Sequence, residues 1–465
     1  MTIDELVRAV EGICLCDYSQ SRGFVSVVTD SRKVSPGSLF IPLIGQAQDG
    51  HIYIPKALES GASVILVDRC HGEGSAQLFC TLGKNHQASF IVVEDTLRAL
   101  QDAARAYLKH FPNLTRIGIT GSSGKTTTKE IVGSIFAVQH TVVMNEGNLN
   151  SETGLPLSVF KVRKEHEIGI FEMGMNREGE IGELARVLVP TIALITNIGT
   201  AHIGILGTKE AIAKQKKQIF SYFSHSDTGF VPEDSSWRDY LSSISIGTIK
   251  LFGTASLEGY KGYDDLGIDG STIFYEGLEI HFKLPGKYNL NNALGAIAIA
   301  RYAGCSASEI QRGLEHVKPI FGRSEIFRGD ITVIRDCYNA NPDSMESAIG
   351  FCDDLTWKGR KIFVLGSMLE LGEQSRASHE KICRRVLSST VNKVYLFGDD
   401  MISAGRTVFS QEYPVEYAHS MDSLSKMLHE EVRPGDLVFI KGSRGMELER
   451  VCPTLGCKER QGEKA

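Results

Sequence analysis

The feature that most constrains this chain is the run Gly118-Ile-Thr-Gly121-Ser-Ser-Gly124-Lys125-Thr126-Thr127-Thr128. It follows the apolar stretch Thr115–Thr120 and opens a segment with Ile131, Val132, Ile135 and Phe136 on one helical face. A strand that turns through glycines directly into a helix belongs to a sheet flanked by helices, because the helix must pack back onto the sheet it leaves. Successive backbone N–H groups at such a helix start wrap phosphate oxygens, and the helix dipole favours their charge. Thr120, Gly121, Ser122, Ser123, Gly124, Lys125, Thr126 and Thr127 are therefore the expected nucleotide cradle. Lys125 would reach the outer phosphates and the Thr126 hydroxyl would ligate magnesium. The strict pattern would place a glycine where Ile119 stands, so this is a shorter variant of the P-loop.

The loop sits inside a longer alternation. Apolar stretches at 168–173 and 192–196, with helices between, predict a doubly wound, mostly parallel central sheet. Around 272–284 the pattern changes to a hairpin turning at Glu276-Gly277, read as an antiparallel edge or extension, followed by a helix over 291–303. After Lys318-Pro319 a second alternation, with strands at 332–335, 361–365, 393–397 and 437–440, predicts a Rossmann-like domain. Ahead of Pro112, short runs at 24–29, 63–68 and 89–93 and a helix over 97–110 form a smaller α/β unit. A chain of 465 residues exceeds one ordinary core. The expected fold is α/β in three domains, 1–111, 112–317 and 318–465, with a charged, disordered tail from Lys458.

A net charge of −6 argues against a nucleic-acid binder, which needs a basic face. The start MTIDELVRAVEGI lacks the basic opening and apolar run of a signal peptide, and no stretch has the apolar length to span a bilayer. A cytoplasmic protein without membrane insertion is expected. The ten cysteines form no Cys-x-x-Cys pairs, and reduced thiols without a role are the reading adopted.

A nucleotide–magnesium complex needs hard oxygen ligands. Glu172 ends the strand after the phosphate loop, at the edge where parallel sheets present function. His202 lies just past 192–197, at the same edge. Lys216, in a helix over 209–220, lies four residues after Ile212 and three before Ile219, near the middle of the apolar stripe. Periodicity leaves open whether it snorkels at the stripe's edge or turns inward for chemistry.

These strings together resemble the Mur ligases over nearly the whole chain. Thr29-Asp30-Ser31-Arg32, Gly37-Ser-Leu-Phe40 and Asp49-Gly50-His51 look like the family's UDP-sugar domain, implying substrate roles for Ser31, Arg32, Asp49 and His51. Asn148-Leu-Asn150, Gly154-Leu-Pro156, Glu172-Met-Gly174 and Asn197-Ile-Gly with Ala201-His202 follow in the family's order, adding Asn148 and Asn150 on the substrate side. The resemblance implies two magnesium ions, one on Thr126 and Glu172, the other on His202 and a carbamylated Lys216. Gly286-Lys-Tyr-Asn289-Leu-Asn-Asn292 is similar to the family's adenine-reading segment, with Tyr288 where a histidine is usual. Gly322-Arg323 and Asp336-Cys-Tyr338-Asn339-Ala340-Asn341-Pro342-Asp-Ser344-Met345 resemble the branch that adds D-alanyl-D-alanine. That resemblance places Arg323 and Asp336 on the nucleotide and Tyr338, Asn339, Asn341 and Ser344 near substrate. Val364-Leu-Gly366-Ser-Met368-Leu-Glu370-Leu-Gly372 with His379, and Lys441-Gly442-Ser443-Arg444, fit the same branch, although Ser367 replaces a usual aspartate.

The implied reaction joins D-alanyl-D-alanine to UDP-N-acetylmuramoyl-tripeptide at the expense of ATP, through an acyl phosphate, for peptidoglycan synthesis. Lys125, His202, Lys216 and Arg323 are the expected catalytic groups, in a monomer with small-molecule substrates. A sister ligase of the MurE type would carry an Asp-Asn-Pro-Arg segment, which this chain lacks. A folylpolyglutamate synthase would lack the amino-terminal Thr-Asp-Ser-Arg domain, and a non-ligating nucleotide switch would not need Glu172, His202 and Lys216 together.

Overall fold

A computed structural model describes residues 1–18, 23–45 and 48–458; the tail beyond Lys458 lies outside the described residues. The strands Ile168–Glu172, Ile192–Ile195 and Thr228–Pro232 are buried along their whole length, as is the second half of Thr115–Thr120. That is the pattern of parallel strands covered on both faces. With Val142–Met144 and Thr248–Phe252 they form a six-stranded, all-parallel sheet. Its spatial order is Thr248–Phe252, Thr228–Pro232, Ile192–Ile195, Thr115–Thr120, Ile168–Glu172, Val142–Met144. The chain winds to one side of Thr115–Thr120 and then to the other, so the crevice at the topological switch opens where the phosphate loop begins. One face packs Ile117, Ile119, Leu194 and Phe230 against Ile131 and Ile135 and the alanine-rich helix Lys287–Tyr302.

The expected hairpin is present as Ser271–Tyr275 and Leu278–Phe282, turning at Glu276 and Gly277, both at positive φ. Of the two readings, edge or extension, it is not an edge of the central sheet; with Tyr260–Asp265 it makes a separate three-stranded antiparallel sheet. The helix expected over 209–220 is α-helical only for Lys209–Lys217 and tightens into a 3-10 turn over Gln218–Phe220.

The third sheet runs Glu325–Phe327, Thr332–Asp336, Leu437–Lys441, Lys361–Gly366, Lys393–Phe397, Val415–Ala418; only the first strand is antiparallel. The amino-terminal sheet has Ile13–Cys16 antiparallel to Ser89–Val93, then Val64–Asp68, Ser38–Phe40 and Ser26–Val28 in parallel. Arg186 ties it to the central region by pairing with Asp102 and donating to Gln101 at 3.0 Å. Among the described residues no helix is long and apolar enough to cross a membrane.

Candidate active site

The phosphate loop leaves the central strand and enters the helix Lys125–Phe136 through Gly124, whose φ of 79° few side chains tolerate. Gly121 is held tighter still. A Cβ there would lie 1.7 Å from Thr196 Oγ1, so only glycine lets the neighbouring strand end brace the loop. Asn197 completes the brace: its Oδ1 accepts from Ser123 N–H at 3.1 Å and its Nδ2 donates to the Ser123 carbonyl at 3.0 Å. Gly199 N–H donates to Ser122 Oγ at 2.8 Å. Thr120 is fully buried with its hydroxyl on the Met173 carbonyl, 2.9 Å away, so it supports the loop from below.

Lys125 Nζ donates back to the Gly121 carbonyl at 2.9 Å. Burial pushes its pKa below the ordinary lysine value; Glu172 opposes that shift and Arg323 adds to it. Among the described residues no carboxylate pairs with Lys125 within ion-pair distance.

Behind the loop, Glu172 is 2 % exposed. Its Oε2 accepts from Thr126 Oγ1 at 2.8 Å and its Oε1 from Asn150 Nδ2 at 2.6 Å. The glutamate is set by Asn145, which accepts from Glu172 N–H at 2.9 Å and donates to its carbonyl at 3.0 Å. Sequence reading missed Asn145; the only signal was a lone asparagine ending the short strand Val142–Met144. Asn148 is exposed on the same loop.

His202 adopts a left-handed backbone, with φ of 64°. Its Nδ1 is buried without a hydrogen bond, 3.4 Å from Glu370 Oε2 in a geometry that makes none. Lys216 is 1 % exposed, which decides between the two readings of its helical position: it turns inward. Burial, and then the charge of Lys125, push its pKa well below 10.5, so the amine is driven toward its neutral form.

The third sheet closes over this edge. A cavity of about 560 Å³ is bordered by Ser122–Thr127 and by Asn289, Asn292, Arg323, Asp336, Asn339, Asn341 and Ser344. Arg323 lies over the Tyr338 ring, 4.4 Å from its centroid. Asp336 is already engaged, with Oδ2 2.5 Å from Lys441 Nζ and Oδ1 accepting from Ser324 N–H at 3.2 Å. Asn341 and Ser344 cap their own helix, Pro342–Asp354, through Asn341 Oδ1 and Ser344 N–H at 2.9 Å. Tyr288 joins the two regions, its hydroxyl 2.6 Å from Ser324 Oγ.

Ser31, Arg32, Asp49 and His51 are not among the residues bordering that cavity. Ser31 is buried in a 3-10 turn capped by Asp30, and exposed Arg32 pairs with Asp30 at 2.8 Å. Asp49 bridges His51 Nδ1 at 2.8 Å and His71 Nε2 at 2.6 Å. These three have the types and spacing of a metal set. His51 Nε2, however, accepts the Asp68 N–H at 3.0 Å, so its Nδ1 carries the proton and no lone pair is left for a cation.

Three descriptions of known families match the chain in order: "Mur ligase family, catalytic domain" at 24–108, "Mur ligase middle domain" at 119–300 and "Mur ligase, glutamate ligase domain" at 322–444. The UDP-N-acetylmuramoyl-tripeptide–D-alanyl-D-alanine ligase of Treponema pallidum (strain Nichols) is 46% identical over 98% of this chain and 99% of its own length. The enzyme of the same name from Bacillus subtilis (strain 168) is 34% identical over 98% of both. Among solved structures, MurF from Acinetobacter baumannii superposes with a TM-score of 0.87 at 27% identity over 98% of both chains. MurF from Thermotoga maritima in complex with ADP gives 0.78 at 28% identity over 92% of this chain and 96% of that one. On these matches, laid along the whole fold just described, the chain belongs to the Mur ligase family.

Proposed function

We propose that this protein uses ATP to join D-alanyl-D-alanine to UDP-N-acetylmuramoyl-tripeptide, a step of peptidoglycan synthesis in the cytoplasm. The observation that carries the reading is the half-buried Lys125, without a carboxylate partner among the described residues, sharing one cavity between two sheets with Arg323. A cation desolvated and left without an anion is costly unless an anion is to arrive.

The reaction proceeds in two displacements. A carboxylate oxygen of the tripeptide attacks the γ-phosphorus of ATP, and ADP leaves, giving an acyl phosphate. The amine of D-alanyl-D-alanine then attacks the acyl carbon, phosphate leaves and the nitrogen gives up its proton. Lys125 and the loop N–H groups hold the outer phosphates, and Arg323 adds charge from the third sheet's side. Asn289 and Asn292 face the adenine edge with amide donors and acceptors. Asp336, fixed by Lys441 and Ser324, holds the position of the third-sheet wall beside the nucleotide. Closure over the cavity excludes the water that would hydrolyse the acyl phosphate.

The Thr126 hydroxyl and the Glu172 carboxylate are a hard oxygen pair that fits magnesium. Magnesium, when bound, would supply the charge that lets two anions meet. The buried, unbonded His202 Nδ1 and Lys216 would hold a second ion, provided Lys216 is a carbamate. Its neutral amine can attack the carbon of carbon dioxide and lose a proton, and burial favours that neutral form. We assign 1–111 to the UDP-sugar, with Ser31, Arg32, Asp49 and His51, 112–317 to ATP, and 318–465 to closure, in a monomer. Asn148, Asn150, Tyr338, Asn339, Asn341 and Ser344 complete the substrate side.

The test is phosphate release from ATP with magnesium and both substrates, omitting each in turn. Release that needs both, with a matching pentapeptide product, is the expected result. Release indifferent to both would make the protein a nucleotide switch. Activity with a single amino acid in place of the dipeptide would make it a sister ligase.

A further inference from the structure

Asp343 stands in the first turn of the helix Pro342–Asp354, a place where an acid ordinarily does no more than complement the helix dipole. Here the cap is already made by Asn341, and the Asp343 carboxylate turns elsewhere. Oδ2 accepts from Thr200 N–H at 2.5 Å and from Thr200 Oγ1 at 2.6 Å. Oδ1 lies 3.7 Å from Lys209 Nζ. The approach is close enough that a Cβ on Gly199 would sit 2.6 Å from Oδ2. Asp343 borders the cavity, but these contacts point across the boundary between the third sheet's helix and the central region.

What they grip is the segment 199–209. It follows Asn197, the brace of the phosphate loop, carries His202 midway, and ends on Lys209, the first residue of the helix that holds Lys216. A second grip lies further along. Gln374 Nε2 donates to the Gly207 carbonyl at 3.2 Å, and Gly204 packs on the backbone of Leu371 and Gly372. The segment makes no strand, and its helix Ile203–Leu206 is a single short turn. Beyond the bond from Gly199 N–H to Ser122 Oγ, its position is therefore set in part by the third sheet's side.

We propose that Asp343 is a positioning residue that, on docking of the third sheet's region, clamps Thr200 and Lys209 and so fixes His202 and the start of the Lys216 helix. The metal side of the site is then completed only in the closed molecule, which keeps the phosphate-transfer machinery incomplete while the substrate side is open. This rests on the reading of His202 and Lys216 as the metal side.

The test uses the full chain with Asp343→Ala, the isosteric Asp343→Asn, and Thr200→Val, which keeps the backbone N–H. The first readout is hydrogen exchange with and without ADP and magnesium. In the unmodified protein the ligands are expected to slow exchange at both 118–128 and 199–209; in Asp343→Ala, at 118–128 alone. The second is the magnesium dependence of phosphate release. Asp343→Ala is expected to raise the half-saturating magnesium about tenfold, with KM for ATP moving less than about threefold. Asp343→Asn, which keeps an acceptor for Thr200 but loses the charge, and Thr200→Val should each fall between. Thr200→Val added to Asp343→Ala should change nothing more. Equal protection of 199–209 in Asp343→Ala, or an activity loss that tracks Tm with unchanged magnesium dependence, would overturn the clamp. Absence of ADP-dependent protection at 118–128 in the unmodified protein would overturn the nucleotide reading and the clamp with it.

Discussion

The central and third sheets are both six strands wide, mostly parallel and open onto one cavity, yet each puts a lysine on that cavity to an opposite use. Among the described residues half-buried Lys125 has only the Gly121 carbonyl as hydrogen-bond partner, and its desolvation lowers its pKa. Lys441, 2 % exposed, is locked to Asp336 at 2.5 Å and lies 3.3 Å from the Asn339 carbonyl. A cation partly withdrawn from water without a carboxylate keeps a place for an incoming anion, whereas a buried and paired one holds the walls around that place. Two sheets of one architecture thus divide the labour of binding and of shape.

Four substitutions would break or sharpen this contrast. The largest effect is expected from Lys125→Met: ATP-dependent phosphate release should fall by about a thousandfold or more, measured at saturating substrates. The apo protein should lose no stability. Lys441→Met should do the reverse, destabilising by about 3 kcal/mol in urea unfolding because Asp336 is left without its partner. Asp336→Asn in the same chain should restore part of that loss. If Lys125→Met unfolded the protein and Lys441→Met merely slowed it, the division of labour would be wrong.

The smallest effect concerns Lys216, a fully buried amine on the central side. Its native pKa lies well below 10.5, so below that pH the unfolded chain binds a proton before the fold does. Stability therefore falls as pH drops from 10.5 toward the lowered native value, and the penalty is complete below it. Lys216→Met in buffer free of carbon dioxide should raise Tm at pH 7 by about 2 °C, with the gain shrinking as pH approaches 10.5. A gain that grew with pH would place a charged, paired ammonium there instead.

Local contiguity decided what could be read before the structure was in hand. The phosphate loop, the strand carrying Glu172 and the alternation of the third sheet are written in adjacent residues, and a buried strand or a glycine turn needs no distant partner to be recognised. Ser38–Phe40 and Val142–Met144, three residues each, are too short to show a period, and exist because neighbouring strands offer them a ladder. Lys216 could not be settled by periodicity because its burial depends on what packs against that helix. The Asp343–Thr200 contact joins residues far apart in the chain and in different sheets' surroundings, so no local pattern announces it. Asp336 read as a nucleotide contact from its motif; it borders the cavity, and its hydrogen bonds to Lys441 and Ser324 were not legible in that motif.

The strand Leu437–Lys441 is the last to be synthesised in the third sheet, yet it is inserted between Thr332–Asp336 and Lys361–Gly366. On the ribosome the phosphate loop can fold hundreds of residues before this strand emerges. The wall carrying Asp336 cannot be assembled until then, since both its lysine and its central ladder are missing. A nascent chain, or one clipped before this strand, therefore has a cradle for nucleotide but no means of closing on it, and the order of translation itself withholds catalysis until the strand has emerged.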